Sequence, residues 1–272
     1  IVPFQNQSAL RIAFTDFWPG FDAKNNFIIQ ALNRQSEMSS QPQVTFFSCF
    51  GTSHRKHKKS LKVFFTGENI RPNYHECDYS LSFEIDDFGG KNLRWPLYNL
   101  YSDPKFIPRQ EQRDRFCCMV VSNPQSTFRL EFFHELSRYK VVDSGGRVLN
   151  NIGGPVKDKQ AFVSQYKFCL AFENSYYPGY TTEKLLDAKR AGSIPIYWGN
   201  PAINLDFDPS SFIDLNAFKS FSDCIKFIEY IDNDSEVFQS MQATPLLPGN
   251  NYTQYSDQSR LVNWLAKVID QG

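Results

Sequence analysis

The sequence predicts an α/β protein with parallel sheets in two halves. Three observations predict it. Short apolar runs alternate with amphipathic ones along all 272 residues, the βα rhythm of parallel sheets. Residues 116–121 form an unbroken apolar run, the mark of a strand buried on both faces. A polar stretch over 103–115, rich in charge and holding Pro104 and Pro108, separates one such series from the next.

In chain order, residues 10–14 read as a strand, followed by a loop and a helix around 26–33. Residues 44–48, 63–65 and 79–83 read as further strands. After the polar break and strand 116–121, Phe128, Phe132 and Leu136 give 125–139 helical spacing. Residues 141–143 are a strand entering Gly145-Gly146. Strand 168–172, helix 181–191, strand 194–198 and a helix over 217–231 follow. Leu261, Trp264, Leu265 and Val268 make 255–269 an amphipathic helix. The expected domains are residues 1–115 and 116–250, with 251–272 as a C-terminal helix packing back on the first domain, because its apolar stripe needs a partner.

Hydrophobic residues make up 41% of the chain, enough for a buried core. Aromatics at 16% are unusually rich; part of that excess fills cores and part is expected to offer flat faces on which sugars and nucleobases pack. The 29 basic and 29 acidic side chains balance, which argues against a nucleic-acid partner. A small anionic ligand needs only one or two placed cations. The six cysteines form no C-x-x-C pair and mostly sit in apolar runs, so they read as buried thiols in a reducing compartment. No apolar run approaches the ~20 residues that span a bilayer, and no signal-peptide pattern opens the chain. The chain begins Ile1-Val2 without Met, so a flanking segment is expected outside it. Arg55-Lys56-His57-Lys58-Lys59 reads as a solvated loop between strands, with an anionic-membrane patch as the alternative.

The densest chemical signal is Phe172-Glu173-Asn174-Ser175, then Tyr180-Thr181-Thr182-Glu183-Lys184, then Ile196-Tyr197-Trp198-Gly199. A buried strand ends in polar residues, a Pro178-Gly179 turn follows, and a helix is expected to open with Thr181 or Thr182 as its N-cap. Lys184 in that first turn opposes the helix dipole. Either an anion such as a diphosphate sits there, or the lysine lies on the exposed helix face.

Residues 164–168 (Ser-Gln-Tyr-Lys-Phe) through Gly199-Asn200-Pro201 closely resemble the long signature of the α1,3/1,4-fucosyltransferases, bacterial branch. A second match is residues 63–69 (Val-Phe-Phe-Thr-Gly-Glu-Asn), with Pro72-Asn73 after it. The resemblance runs from about Leu10 to Asp223. It implies a GT-B type α/β fold, two facing Rossmann-like domains with parallel sheets, the acceptor side first and the donor side second. It implies transfer of L-fucose from GDP-fucose, with inversion and no cofactor or bound metal, to the 3-OH or 4-OH of GlcNAc or glucose in a lactosamine- or lactose-type glycan, giving Lewis-type products.

Residue by residue, the resemblance makes Glu68 the general base. Tyr180 and Lys184 contact the donor phosphates, Glu183 binds the ribose, Asn174 lies in the same donor pocket, and Thr182 is a further donor-binding residue. The family's loop arginine has its one counterpart in Arg147, although some members place it where this chain has Leu149; a surface salt bridge is the other reading. Asp16, Trp18 and Asn69 are expected to face the acceptor, a buried aromatic being the alternative for the first loop. The chemistry suits these types. A sugar hydroxyl needs a carboxylate to take its proton, and fixed cations stabilise the leaving diphosphate where other enzymes use a metal.

Asp206-Phe207-Asp208 has the D-x-D form of manganese-dependent transferases but reads as a loop leading into Pro209. His54, His57, His75 and His134 make no ligand pair on an expected helix, and no G-x-S-x-G elbow is present. Animal members carry disulfides and an N-terminal anchor, and some bacterial ones carry heptad repeats and a basic tail; neither is evident here. The resemblance therefore implies a cytoplasmic location, leaves oligomeric state open, and allows peripheral membrane attachment through flanking segments. Two rival readings stand beside it: a transferase for another nucleotide sugar, and a catalytically silent glycan-binding relative.

Overall fold

The computed structural model describes residues 9–271. The chain divides into two compact units, Ile1–Trp95 with Asp257–Gly272, and Pro96–Ser256. Residues 96–115, expected with the first half, thus fall in the second unit. The cause is packing. Leu97 N donates to Thr181 O at 3.0 Å, the fully buried Tyr98 donates to Asp206 at 3.1 Å, and Arg113 Nη2 donates to Ala191 O at 3.1 Å.

The first unit holds β1 (Leu10–Thr15), α1 (Phe27–Leu32), β2 (Ser36–Met38), β3 (Val44–Phe47), β4 (Leu61–Phe65), β5 (Tyr79–Ser82) and β6 (Asn92–Arg94). The strands pair in parallel in the order β2-β1-β3-β4-β5-β6. Phe46, Val63, Phe65 and Leu81 are at most 1% exposed and form the sheet's core. Asn26 caps α1 through bonds from Ile28 N and Ile29 N, and Asn33 ends it in the left-handed region.

The second unit holds β7 (Arg115–Met119), α2 (Thr127–Tyr139), β8 (Val142–Ser144), α3 (Lys159–Val163), β9 (Tyr166–Phe172), α4 (Lys184–Arg190), β10 (Ile194–Trp198), β11 (Ile213–Asp214), α5 (Phe221–Asn233) and α6 (Ser235–Ala243). Its sheet is parallel too, in the order β11-β10-β9-β7-β8. Phe132, Phe168, Ile194, Ile196 and Ile228 meet in its core. Helix α5 starts at Phe221, later than the expected 217, because Ser220 caps it by accepting from Asp223 N. Helix α6 follows directly after the Asp234 cap, a break the apolar pattern does not announce.

The last helix, α7 (Ser259–Gln271), belongs to the first unit and packs on α1. Leu261, Leu265 and Val268 are at most 2% exposed, and burying each contributes about 1.5–3 kcal/mol. Trp264 sets its ring edge-on to Tyr79.

Renumbered within its own unit, each sheet has the order 2-1-3-4-5, the first with one strand more. In such sheets the connections leave in opposite directions beside the first strand, and a crevice opens outside the carboxyl ends there. The two switch points are β1/β3 and β7/β9. All six cysteines are free thiols, five of them buried.

Candidate active site

In the second unit a pocket opens at the switch point, lined by Asn123 after β7, Asn174 after β9, Arg129 of α2, Lys159 of α3, and Glu183 and Lys184 at the start of α4. Glu173, directly after β9, is completely buried and organises one wall. Its carboxylate accepts from Thr182 N and Thr182 Oγ1, both at 2.7 Å, and from Lys184 Nζ at 3.0 Å. Lys184 Nζ also donates to Thr182 Oγ1 at 2.9 Å. Burial pushes the Lys184 ammonium down, but the charges of Glu173 and Glu183 outweigh it, so its pKa stands above the ordinary lysine value.

This arrangement replaces the expected helix cap. Thr182 spends its hydroxyl on Glu173, and α4 starts only at Lys184, with Glu183 as an N-cap that makes no side-chain bond. With α4 seven residues long, the positive charge at the pocket comes from side chains rather than from a helix end. Gly199 makes room for this wall: at φ 148 it lies so close that a Cβ there would meet Glu173 Cβ at 2.5 Å.

Arg129 is the residue that sequence reasoning passed over. It is 1% exposed, and Nη2 donates to Asn123 O at 2.8 Å, while Nε and Nη1 are buried without a hydrogen-bond partner. Burial lowers its pKa and the Glu173 charge pulls it back. A guanidinium held in this way costs stability unless something anionic meets it. Its signal was in the sequence. Arg129 stands three and four residues before Phe132 and Phe133, inside the buried face of α2.

The remaining donor candidates separate. Asn174 and Glu183 line the pocket with Lys184. Tyr180 and Thr182 are each 2% exposed and lie in the supporting core rather than among the lining residues. Beneath them Asn200 accepts from Gly179 N at 2.7 Å and donates to Thr181 Oγ1 at 2.9 Å, and Thr181 donates to Asp206 at 2.7 Å. Much of the long signature is therefore scaffold. Asp206 is spent there, and Asp208 caps Ser210 N at 2.9 Å, so the D-x-D acids serve the fold.

Arg147 is exposed and forms no ion pair among the described residues. Its loop is stiff. Gly145 N donates to Met119 O at 2.8 Å, Val148 N to Val121 O at 3.1 Å, and Asn150 Nδ2 to Gly146 O at 2.8 Å. A Cβ on Gly146 would meet Val121 O at 2.0 Å, so only glycine lets the loop lie against the end of β7. Arg147 does not itself line the pocket.

In the first unit Glu68 follows β4. Thr66 Oγ1 accepts from Glu68 N at 3.0 Å and donates to Glu68 O at 2.9 Å, fixing the main chain from both sides. The Glu68 side chain is exposed and makes no ion pair among the described residues. Asn69 and Glu84 both accept from Arg71, bracing the loop beyond it.

Asp16, expected to face a sugar, turns inward instead. Its side chain is 3% exposed, with Oδ1 accepting from Ser53 N at 2.8 Å and Oδ2 from His54 N at 2.9 Å, while His54 Nδ1 stands 2.7 Å from Oδ2. Burial pushes Asp16 up, yet the bonds from His54 and Ser53 outweigh it and hold its pKa low. Trp18 remains 37% exposed on a cluster with Phe17, Phe21 and Phe65.

Two family profiles match this chain. The α-(1,3)-fucosyltransferase FucT N-terminal domain covers residues 12–101, and the C-terminal domain of glycosyltransferase family 10 (fucosyltransferase) covers residues 110–242. The chain belongs to the fucosyltransferase family. Among curated members of this fucosyltransferase family, an α-(1,3)-fucosyltransferase of Helicobacter pylori is 31% identical over 85% of the chain, which spans 59% of that enzyme's length. A 4-galactosyl-N-acetylglucosaminide 3-α-L-fucosyltransferase of Rattus norvegicus is 32% identical over 51% of the chain and 39% of its own length. The crystal structure of an α1,3-fucosyltransferase superposes with a TM-score of 0.85 at 27% identity, over 99% of this chain and 93% of that one. The same kind of enzyme with GDP-fucose gives 0.83 at 26% identity, over 99% and 94%. The fucosyltransferase fold here is of GT-B type, as the sequence leads one to expect.

Proposed function

We propose that this chain transfers L-fucose from GDP-fucose to the 3-OH, or 4-OH, of GlcNAc or glucose in a lactosamine- or lactose-type glycan, with inversion, as a cytoplasmic bacterial-type enzyme making Lewis-type products. The observation that carries the reading is Arg129, a buried guanidinium with two unpartnered nitrogens lining the same pocket as Lys184. Two fixed cations beside a buried acid suit a diphosphate whose charge grows as it leaves. The named substrates of the relatives, GDP-fucose and galactosyl-N-acetylglucosaminide, support the choice of donor and acceptor.

The roles follow from the side chains. Arg129 and Lys184 hold the diphosphate, with Arg147 reaching it from its loop. Glu183 takes the ribose and Asn174 completes the donor pocket, while Tyr180 and Thr182 act from beneath as supports. Glu68 accepts the proton of the attacking hydroxyl. Its carboxylate forms no ion pair among the described residues, and the bonds from Thr66 fix its main chain. Trp18 offers a flat face to the acceptor sugar, with Asn69 beside Glu68. One base suffices, because attack opposite the diphosphate requires no covalent intermediate.

The test compares GDP-fucose, GDP-mannose and UDP-galactose as donors to N-acetyllactosamine, with and without a chelator, and maps the product linkage. The proposal expects a fucosylated product from GDP-fucose alone, undiminished by the chelator. Turnover confined to UDP-galactose would overturn it.

A further inference from the structure

The first unit has a pocket of its own, lined by Arg11, Lys56, His57, Lys58 and Lys59 together with the polar stretch 40–43 and Ser60. Arg11 is the second residue of β1, Gln43 immediately precedes β3, and Ser60 immediately precedes β4. The strands are parallel. The pocket therefore lies at the amino ends of these strands, on the edge opposite the one from which Asp16 and Glu68 emerge.

Among the described residues no acidic side chain lines it. Arg11, Lys56, Lys58 and Lys59 form no ion pair among the described residues, whereas their neighbour Arg55 is bound to Glu76 at 2.7 Å. The chain as a whole is neutral, so this is a local excess. Parts of the pocket are built rather than loose. Arg11 Nε donates to Gln41 O at 3.2 Å, and its main-chain N–H donates to Gln43 Oε1 at 3.0 Å. The fully buried Thr45 hydroxyl stands 3.0 Å from His57 Nδ1 and 2.7 Å from Ser60 Oγ, which fixes the imidazole in the floor.

Uncompensated cations gathered in one concavity repel one another, and an anion that several of them reach at once relieves the repulsion. A phosphate group presents oxygens in several directions and suits an arginine fork flanked by lysines. A nucleic acid would need a longer basic stripe and a basic excess over the whole unit.

We propose that this pocket binds a phosphate group, separately from the donor pocket of the second unit. The phosphate comes either from a soluble ligand or from the headgroup of an anionic lipid, and the two sources separate by experiment. The full chain and its Lys56→Gln/Lys58→Gln/Lys59→Gln variant would be titrated with inorganic pyrophosphate while the His57 ring signals are followed by NMR. The same pair would be floated with vesicles of phosphatidylcholine alone and with one quarter phosphatidylglycerol. The proposal expects a saturable His57 shift in the parent chain, weakened about tenfold in the variant, with melting temperature unchanged. Flotation with the anionic vesicles alone, falling about a hundredfold in the variant and screened by salt, assigns a lipid headgroup. A His57 shift without flotation assigns a soluble phosphate. The proposal fails if the pyrophosphate titration and the flotation both give the same result for the two proteins.

Discussion

Lys184 Nζ stands 3.0 Å from Glu173, a carboxylate that is completely buried and also holds Thr182 by two 2.7 Å bonds. The pair is asymmetric. Removing Lys184 leaves Glu173 with both Thr182 donors, whereas removing the charge of Glu173 strands a largely buried ammonium. Glu173→Gln should therefore lower stability by about 2–4 kcal/mol, read from the urea midpoint at unchanged slope. Lys184→Ala should lose less stability but weaken donor binding about tenfold or more. Equal stabilities for the two variants would contradict this division of labour.

Arg129 predicts the opposite trade. Without a ligand its orphaned nitrogens are a liability, so Arg129→Met should be neutral or up to about 1 kcal/mol more stable. GDP affinity should fall about ten- to a hundredfold, measured by calorimetry. A variant that unfolds more easily and binds GDP normally would show the guanidinium to be structural.

Thr66 positions Glu68 through the two bonds to its main chain. Thr66→Val keeps the shape and removes both. Turnover should drop about ten- to a hundredfold with KM for donor little changed, and Thr66→Ser should restore it. If valine and serine behave alike, the hydroxyl does not matter.

Lys189 sets a pH dependence of stability. It is 1% exposed, and its amine donates to Ser211 O and Met241 O, both at 2.8 Å. Burial depresses its pKa from 10.5 to about 7, the charge of Asp208 acting the other way. Below pH 7 folded and unfolded chains both carry the proton. Above it the unfolded chain holds a proton that the native chain lacks, so stability rises with pH toward 10.5. Cys77 and Cys224, pushed by burial from 9.0 to about 12, oppose this above pH 9. Denaturation midpoints should therefore rise between pH 7 and 9, and Lys189→Met should flatten that rise.

The parallel sheets were legible because their strands are apolar runs; the expected 194–198 strand coincides with β10. Short edge strands such as β2 and β11, three and two residues long, carry no periodic signal. Lys184 was legible as a misplaced cation at an expected helix start. Tyr180 and Asp16 were not, since a motif does not say which polar side chains turn inward. Arg129 was hidden by its apolar neighbours, whose spacing defined the helix while the charge inside it went unread. Residues 103–115 looked like a linker because charge and proline dominate, yet Arg113 within the stretch and Tyr98 just before it are anchored in the second unit.

The most direct measurement is paired: calorimetric GDP binding and fucosyl transfer to N-acetyllactosamine, for the parent chain, Arg129→Met and Glu68→Ala. The account predicts that the parent chain does both, that Arg129→Met binds GDP about ten- to a hundredfold more weakly and transfers correspondingly less, and that Glu68→Ala binds GDP as the parent does but transfers nothing. No guanine-nucleotide binding by the parent chain, or transfer by Glu68→Ala at the parent rate, would contradict it.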